Sequence, residues 1–482
     1  MKNDFRYLPK EERKKILLLC DDIRLPSGIG TMAREFVVNS AQHFNWFNLA
    51  AGLKHPEVGK ILDISEAVNR IAKLTDTDIK VMPSDGYGTP DLIRMLLKRE
   101  KPDAILIFTD PRYWVWLFEI EREIRSQIPI FYLNIWDDFP APMYNKPYYE
   151  SVDLLMAISK QTKFINENVL GEDVGSRLIE YVPHGIEETL FFPIEETFEK
   201  YNEFTEFRKR IFDDKDIEFV VFFNSRNIRR KSPADLVLGY RLFCDSIGKE
   251  AAKKCALVMH TELSSEHGTD LAAVKDALTD PEYVNIFFSR ERLSSEQMNL
   301  LYNLADVTVL PSSNEGWGLS LTESMMSGTM IIANVTGGMQ DQMRLEDENG
   351  DWFTPSADIP SNHKGTYKRC GKWAVPVFPG AVALQGSPLT PYIFDDKADP
   401  EDIAAAIKLV WELSPEDRKA RGLAGREWAM SEEAGMTATI MTNRLIECCD
   451  RTLENFIPRS KYDLILADKA PDRIVKHKLA GY

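Results

Sequence analysis

LPSSNEGWGLSLTESMMSGTMIIANVTGG, residues Leu310 to Gly338, packs a strand end, a glycine-rich turn, a helix and a second strand into one run. The mostly apolar run Ala305 to Leu310 predicts a buried strand, and Glu315-Gly316-Trp317-Gly318 turns the backbone sharply into a helix beginning near Ser320. Gly316 and Gly318 let main-chain amides approach a ligand closely. The free N–H groups and positive dipole end of such a helix suit an anion, most often a phosphate. Two carboxylates, Glu315 and Glu323, stand beside that anion site. A carboxylate also accepts hydrogen bonds from sugar hydroxyls, so a nucleotide sugar, with phosphates and hydroxyls together, satisfies both kinds of group. A plainer reading stands next to this one. Ser320 to Glu323 is a legal capping box, Gly328 a helix stop, and a loop glutamate such as Glu315 is commonly solvated.

A second candidate lies at Asn224 to Ser232, directly after a predicted strand, where Arg226, Arg229, Arg230 and Lys231 put four cations into six residues. Such a cluster repels itself unless solvent or an anion neutralises it. A solvated turn is the alternative.

The spacing Pro-Ser-x-x-Glu-Gly-x-Gly-x-x-x-x-Glu, followed by a strand and Gly-Gly, resembles the signature of retaining glycosyltransferases of the GT-B fold, in the large family 4. The resemblance implies an α/β architecture of two Rossmann-like, doubly wound parallel-sheet domains facing a cleft. It implies a donor diphosphate held by Arg226 and Lys231 and by amides near Gly318 and Leu319, within a donor-binding stretch that includes Gly316 and Trp317. Glu315 then holds sugar hydroxyls and Glu323 the ribose. The substrate is a nucleoside-diphosphate sugar of UDP or GDP type, with no separate cofactor and no metal, and front-face attack at the anomeric carbon retains its configuration. Trp317 replaces the commoner phenylalanine. One departure is larger. Where many relatives carry His-Asp after the corresponding strand, this chain reads Asn134-Ile135-Trp136-Asp137-Asp138. Trp136 and Asp137 thus become candidate sugar or acceptor contacts, and donor-sugar identity is left open, a pentose or deoxy sugar included.

Alternating apolar runs and helical stretches predict repeated βα units and hence parallel sheets covered on both faces. Expected strands begin at Ile16 to Cys20 and continue through Trp46 to Ala50, Ile79 to Met82, Ala104 to Phe108, Ile130 to Ile135, Leu154 to Ile158 and Ile179 to Val182. Between the first two, the loop holding Gly28 and Gly30 opens a helix running to about His43. Its Gly-x-Gly-x-x-Ala spacing also matches a dinucleotide fingerprint, but the next strand ends without an acidic residue for a ribose, which weakens a nicotinamide reading. In the glycosyltransferases a similar loop lies in the cleft beside the diphosphate. Pro183-His184-Gly185 ends the first unit, with His184 as a cleft or turn residue.

We place an acceptor-side domain at 1–194 and a nucleotide-sugar domain at 195–445, interrupted by an ordered insertion at about 345–397. A helical segment, 446–482, is expected to return onto the first domain. Thr437 to Leu453 and Phe456 to Tyr482 both read as mostly helical.

With 482 residues and 44% hydrophobic content, the chain can bury cores for two or three domains. Its formal charge of -16 disfavours non-specific nucleic-acid binding. The six cysteines show no metal-ligand spacing and fit free thiols in a reducing cytoplasm. No apolar run approaches the roughly 18 residues of a membrane span, which leaves peripheral membrane contact open. A glycan, lipid, protein or nucleic acid could each supply the acceptor hydroxyl. The competing class is a GT-B scaffold subunit without catalysis, motivated by Trp136 and the long insertion.

Overall fold

The computed structural model describes residues 7–51, 55–175, 177–197, 201–213, 215–356, 367, 369–460 and 462. Eight strands form the first sheet. They are β1 (Lys14–Asp21), β2 (Phe44–Ala51), β3 (Leu62–Asp63), β4 (Ile79–Pro83), β5 (Ala104–Ile107), β6 (Ile130–Asn134), β7 (Leu154–Ala157) and β8 (Leu178–Tyr181), in the order β3-β4-β2-β1-β5-β6-β7-β8. All neighbours are parallel except β3 and β4. Ile16 to Cys20 in β1 are all fully buried, as a strand covered by helices on both faces requires.

The second sheet contains β9 (Phe219–Asn224), β10 (Cys255–His260), β11 (Asn285–Ser289), β12 (Val307–Leu310), β13 (Met330–Asn334) and β14 (Ala374–Val377). Its order is β11-β10-β9-β12-β13-β14, wholly parallel. Strand order reverses at β1 in one sheet and at β9 in the other, so the loops following both strands open into crevices at the carboxyl edges, the usual ligand position in such sheets. The two carboxyl edges face one another across a cleft of about 1430 Å³.

Helix Ala438–Asn455 returns to the first sheet, packing on helix Gly28–Asn39 and on β7 and β8. Thr437 caps it through its side chain, and His43 Nε2 meets Asp450 Oδ2 at 2.8 Å. At the crossing, a Cβ on Gly185 would stand 2.1 Å from the Thr437 carbonyl oxygen, so only glycine permits the two backbones to approach this closely.

Two expectations are corrected here. Residues 345–397 are not one insertion between strands, because β14 lies inside them and pairs with β13 as the edge of the main sheet. Pro376 makes that stretch read as a loop, yet an edge strand tolerates a proline. What is added is a hairpin, β15 (Ala381–Ser387) and β16 (Thr390–Lys397). It reaches across to the first unit, where Phe394 N donates to Phe139 O at 2.7 Å and Tyr144 Oη to Tyr392 O at 2.9 Å. The final helix ends at Asn455 and residues 456–460 are irregular. Most of the helical expectation for Phe456 to Tyr482 lies outside the described residues.

Candidate active site

β12 delivers the Glu315 loop to the cleft floor, and glycines set its shape. A Cβ on Gly316 would sit 3.0 Å from Ile135 O, and one on Gly337 only 2.0 Å from Glu315 O. Gly338 N donates to Glu315 O at 3.0 Å. The trailing Gly-Gly therefore lets a second loop lie directly on the Glu315 backbone. Gly318 adopts φ 92 as the N-cap of helix Leu319–Met326, and no side chain caps that helix end.

Glu315 is 9% exposed and Lys231 8%, which rules out a solvated loop for either side chain. Lys231 Nζ contacts Glu315 Oε2 directly, and Arg230 Nη1 lies 3.6 Å from the same oxygen. A backbone bond and a side-chain bond lace the two loops together, Ser313 N donating to Arg230 O at 2.7 Å and Arg230 Nη1 to Asn314 O at 2.7 Å. Burial, then the neighbouring Arg230, push the Lys231 ammonium well below the ordinary lysine range, opposed by Asp137. Arg226 lines the cleft and is exposed, and Arg229 is exposed and does not line it, so the solvated-turn alternative survives for these two cations.

The capping box does not form. Glu323 instead accepts a short hydrogen bond from Tyr302 Oη, which in turn accepts from Asn224 Nδ2 at 2.7 Å. Burial raises the Glu323 carboxyl to about 7, with the Tyr302 hydroxyl pulling the other way. The residue still lines the cleft, as do Gly316, Trp317, Gly318 and Leu319. Trp317 Nε1 donates to Thr322 Oγ1 at 2.9 Å, and its ring meets His184 edge-on at 6.2 Å. His184 also lines the cleft, and burial lowers it to about 3, leaving a neutral imidazole at physiological pH.

On the opposite wall, Trp136 and Asp137 follow β6. Trp136 is 9% exposed. Its Nε1 donates to Asp138 O at 2.9 Å, while Arg112 lies 4.9 Å over its ring. Gly28 opens helix Gly28–Asn39 at the cleft, with open space around its Cα. Gly30 is corrected. It does not line the cleft but is buried against Leu25 O, which a Cβ would approach to 2.7 Å, so its role is to close the turn.

Three residues escape sequence reasoning. Arg230 is hidden among equivalent cations, and Tyr302 sits on a different helix from Glu323 with no local pattern linking them. Asn227, fully buried, orders the cationic loop by donating to Glu262 O at 3.0 Å and Thr269 O at 2.6 Å.

Residues 284–361 match the family described as Glycosyl transferases group 1. This is a GT-B fold carrying a group 1 glycosyltransferase segment. The combination indicates a glycosyltransferase. Among solved structures, the chain is similar to HepE from Anabaena in complex with UDP and glucose, at 13% identity and TM-score 0.59, covering 91% of this chain and 100% of that one. It is similar to a glycosyltransferase from Rickettsia africae at 14% identity and TM-score 0.62, covering 92% and 100%. Sucrose-phosphate synthase from Thermosynechococcus elongatus aligns at 15% identity and TM-score 0.60, covering 92% and 100%. No curated protein matches. No helix among the described residues is long and apolar enough to cross a membrane.

Proposed function

We propose that this GT-B glycosyltransferase transfers a sugar from a UDP- or GDP-type donor to an acceptor hydroxyl, with retention and without a metal. The observation that carries the reading is the buried Lys231–Glu315 contact with Arg230 beside it, at the carboxyl edges of β9 and β12. The reading is supported because a diphosphate leaving at this place would meet cations and a sugar bound there would meet a carboxylate able to accept from its hydroxyls. Arg226, Lys231 and the amides of Gly318 and Leu319 hold the diphosphate, Glu315 the sugar and Glu323 the ribose.

In the transfer, the acceptor oxygen bonds to the anomeric carbon as the bond from that carbon to the diphosphate oxygen breaks. The electron pair leaves with the diphosphate, and the acceptor's proton passes to a phosphate oxygen on the same face. Positive charge on the ring and negative charge on the leaving oxygens grow together. One well-aimed donor to such oxygens is worth about 100- to 1,000-fold in rate.

Thermal shifts against UDP, GDP, ADP, CMP and NAD, with and without magnesium, test the reading. Stabilisation by one nucleoside diphosphate, independent of magnesium and lost in Glu323→Ala and Lys231→Ala, is expected. Stabilisation by NAD alone overturns it. Proton NMR of the first product reports the anomeric configuration, and an inverted product overturns retention.

A further inference from the structure

The two walls of the cleft differ in charge. Its cations on the second-sheet side are Arg226, Arg230, Lys231, Arg290 and Arg292, whereas Arg112 is the lining cation of the described residues on the first-sheet side. Arg112 is already engaged. Its Nη2 pairs with Asp110 Oδ2, its Nη1 donates to Asn145 Oδ1 at 3.2 Å, and its guanidinium covers the Trp136 ring. Asp137 and Asp138 line the same wall, and burial together with the neighbouring Asp137 pushes Asp138 well above the ordinary carboxylate range. At the entrance of helix Gly28–Asn39, the Ser27 hydroxyl already caps Gly30 N and donates to Asp21 Oδ2 at 2.7 Å. A carboxylate therefore backs this helix end on the first-sheet side.

The same wall offers an aromatic face. Tyr113 lines the cleft at 49% exposure, and its ring stacks on Tyr87 at 4.2 Å with only 3° between the planes. Tyr87 is in turn held edge-on by buried Trp114 at 5.4 Å. One face of Tyr113 is thus fixed by packing and the ring is held rigid at the rim. A rigid, half-exposed aromatic ring lining the same cleft as Asp137 and Asp138 suits a sugar ring, whose apolar C–H face stacks while its hydroxyls donate to oxygen.

Resting on the donor reading above, we propose that the acceptor is a neutral carbohydrate that stacks on Tyr113 and directs hydroxyls to Asp137, and that phosphorylated or other anionic acceptors are rejected. Rejection follows because, among the described residues, the unengaged cations lining the cleft belong to the donor side, so an acceptor phosphate would meet Asp137 without a counter-charge.

A glycan microarray tests this, probed with the full chain in the presence of UDP and containing each glycan with and without a phosphate or sulfate. Neutral glycans are expected to be retained at least about tenfold better than their anionic partners. Tyr113→Ala should remove that retention, and Tyr113→Phe should restore it. Both variants should keep the nucleoside-diphosphate thermal shift, since Tyr113 lies on the other wall and its loss opens no core. Preference for anionic glycans, retention of no glycan, or full retention by Tyr113→Ala overturns the inference. Loss of every nucleoside-diphosphate shift in the native chain instead overturns the donor reading, whatever the array shows.

Discussion

Glu323 holds a carboxyl inside the protein with a tyrosine hydroxyl as its partner. Because its folded value, about 7, lies above the usual 4.5, the native state binds that proton more tightly than the unfolded chain. The associated stability is present below pH 4.5 and is lost as pH rises through 7. Glu323→Gln should therefore raise Tm more at pH 8 than at pH 5, by an amount corresponding to roughly 2 to 3 kcal/mol at most. Equal melting shifts at the two pH values count against the assignment. Nucleotide affinity should fall in the same variant by about 1 to 3 kcal/mol if the carboxylate holds the ribose, measured by calorimetric titration with the nucleoside diphosphate that stabilises the native chain. Lys231→Met should cut transfer by about 100- to 1,000-fold with a much smaller change in melting, because Arg230 remains 3.6 Å from Glu315 to share its charge. Turnover near native would remove Lys231 from the chemistry.

At the level of elements, the glycines divide sharply. Gly337→Ala would force a Cβ to within 2.0 Å of Glu315 O, at φ 53, and should cost about 2 to 4 kcal/mol with loss of transfer. Gly28→Ala meets nothing within 4 Å and should alter stability by less than about 0.5 kcal/mol. Chemical denaturation of the pair checks both, and similar costs would mean the loop contacts are not rigid.

This contrast also marks what is legible in the sequence. Buried parallel strands announce themselves as mostly apolar runs, so Val307–Leu310 and Met330–Asn334 and the loop between them can be read directly. Glu315 and the cationic run are visible because charge gathered at the end of a buried strand must be met by solvent, a counter-charge or a ligand. The Tyr302–Glu323 bond is not, since it joins side chains 21 positions apart on separate helices. Nor are β14, broken by Pro376, and the cross-cleft hairpin, whose strands carry no alternation strong enough to declare them. The helix starts one residue earlier than Ser320 suggests, because Gly318, in the left-handed region, takes the cap position.

Across the whole molecule, the units meet through a buried polar junction. Gln340 Nε2 donates to Gln161 Oε1 at 2.7 Å, and Gln161 Nε2 donates to Asp137 O at 2.6 Å, so the loop after β6 is tied to the helix that follows Gly338. Beside them Asp341 accepts from Lys160 N at 2.9 Å and Tyr181 Oη at 3.0 Å. Burial raises its carboxyl to about 7, and by the same sign as Glu323 its contribution to stability fades as pH rises through that value. Asp341→Asn should slow hydrogen exchange around 160–162 at pH 8 relative to the native chain, after correction for intrinsic rates, and leave it nearly unchanged at pH 5. Faster exchange at pH 8 would show that the charged carboxylate strengthens the junction.

Helix Ala438–Asn455 closes over a sheet whose strands were all made more than 250 residues earlier, from Lys14 to Tyr181. During synthesis the amino-terminal unit therefore emerges with helix Gly28–Asn39 and strands β7 and β8 lacking this cover, and stays so until the second unit has been translated. A gene cut at the junction between the sheets would yield an amino-terminal fragment lacking its own lid, prone to aggregate, and a carboxyl-terminal fragment carrying an orphaned amphipathic helix. Supplying 438–455 in trans should rescue the first fragment's solubility, which makes the order of translation part of this protein's folding problem.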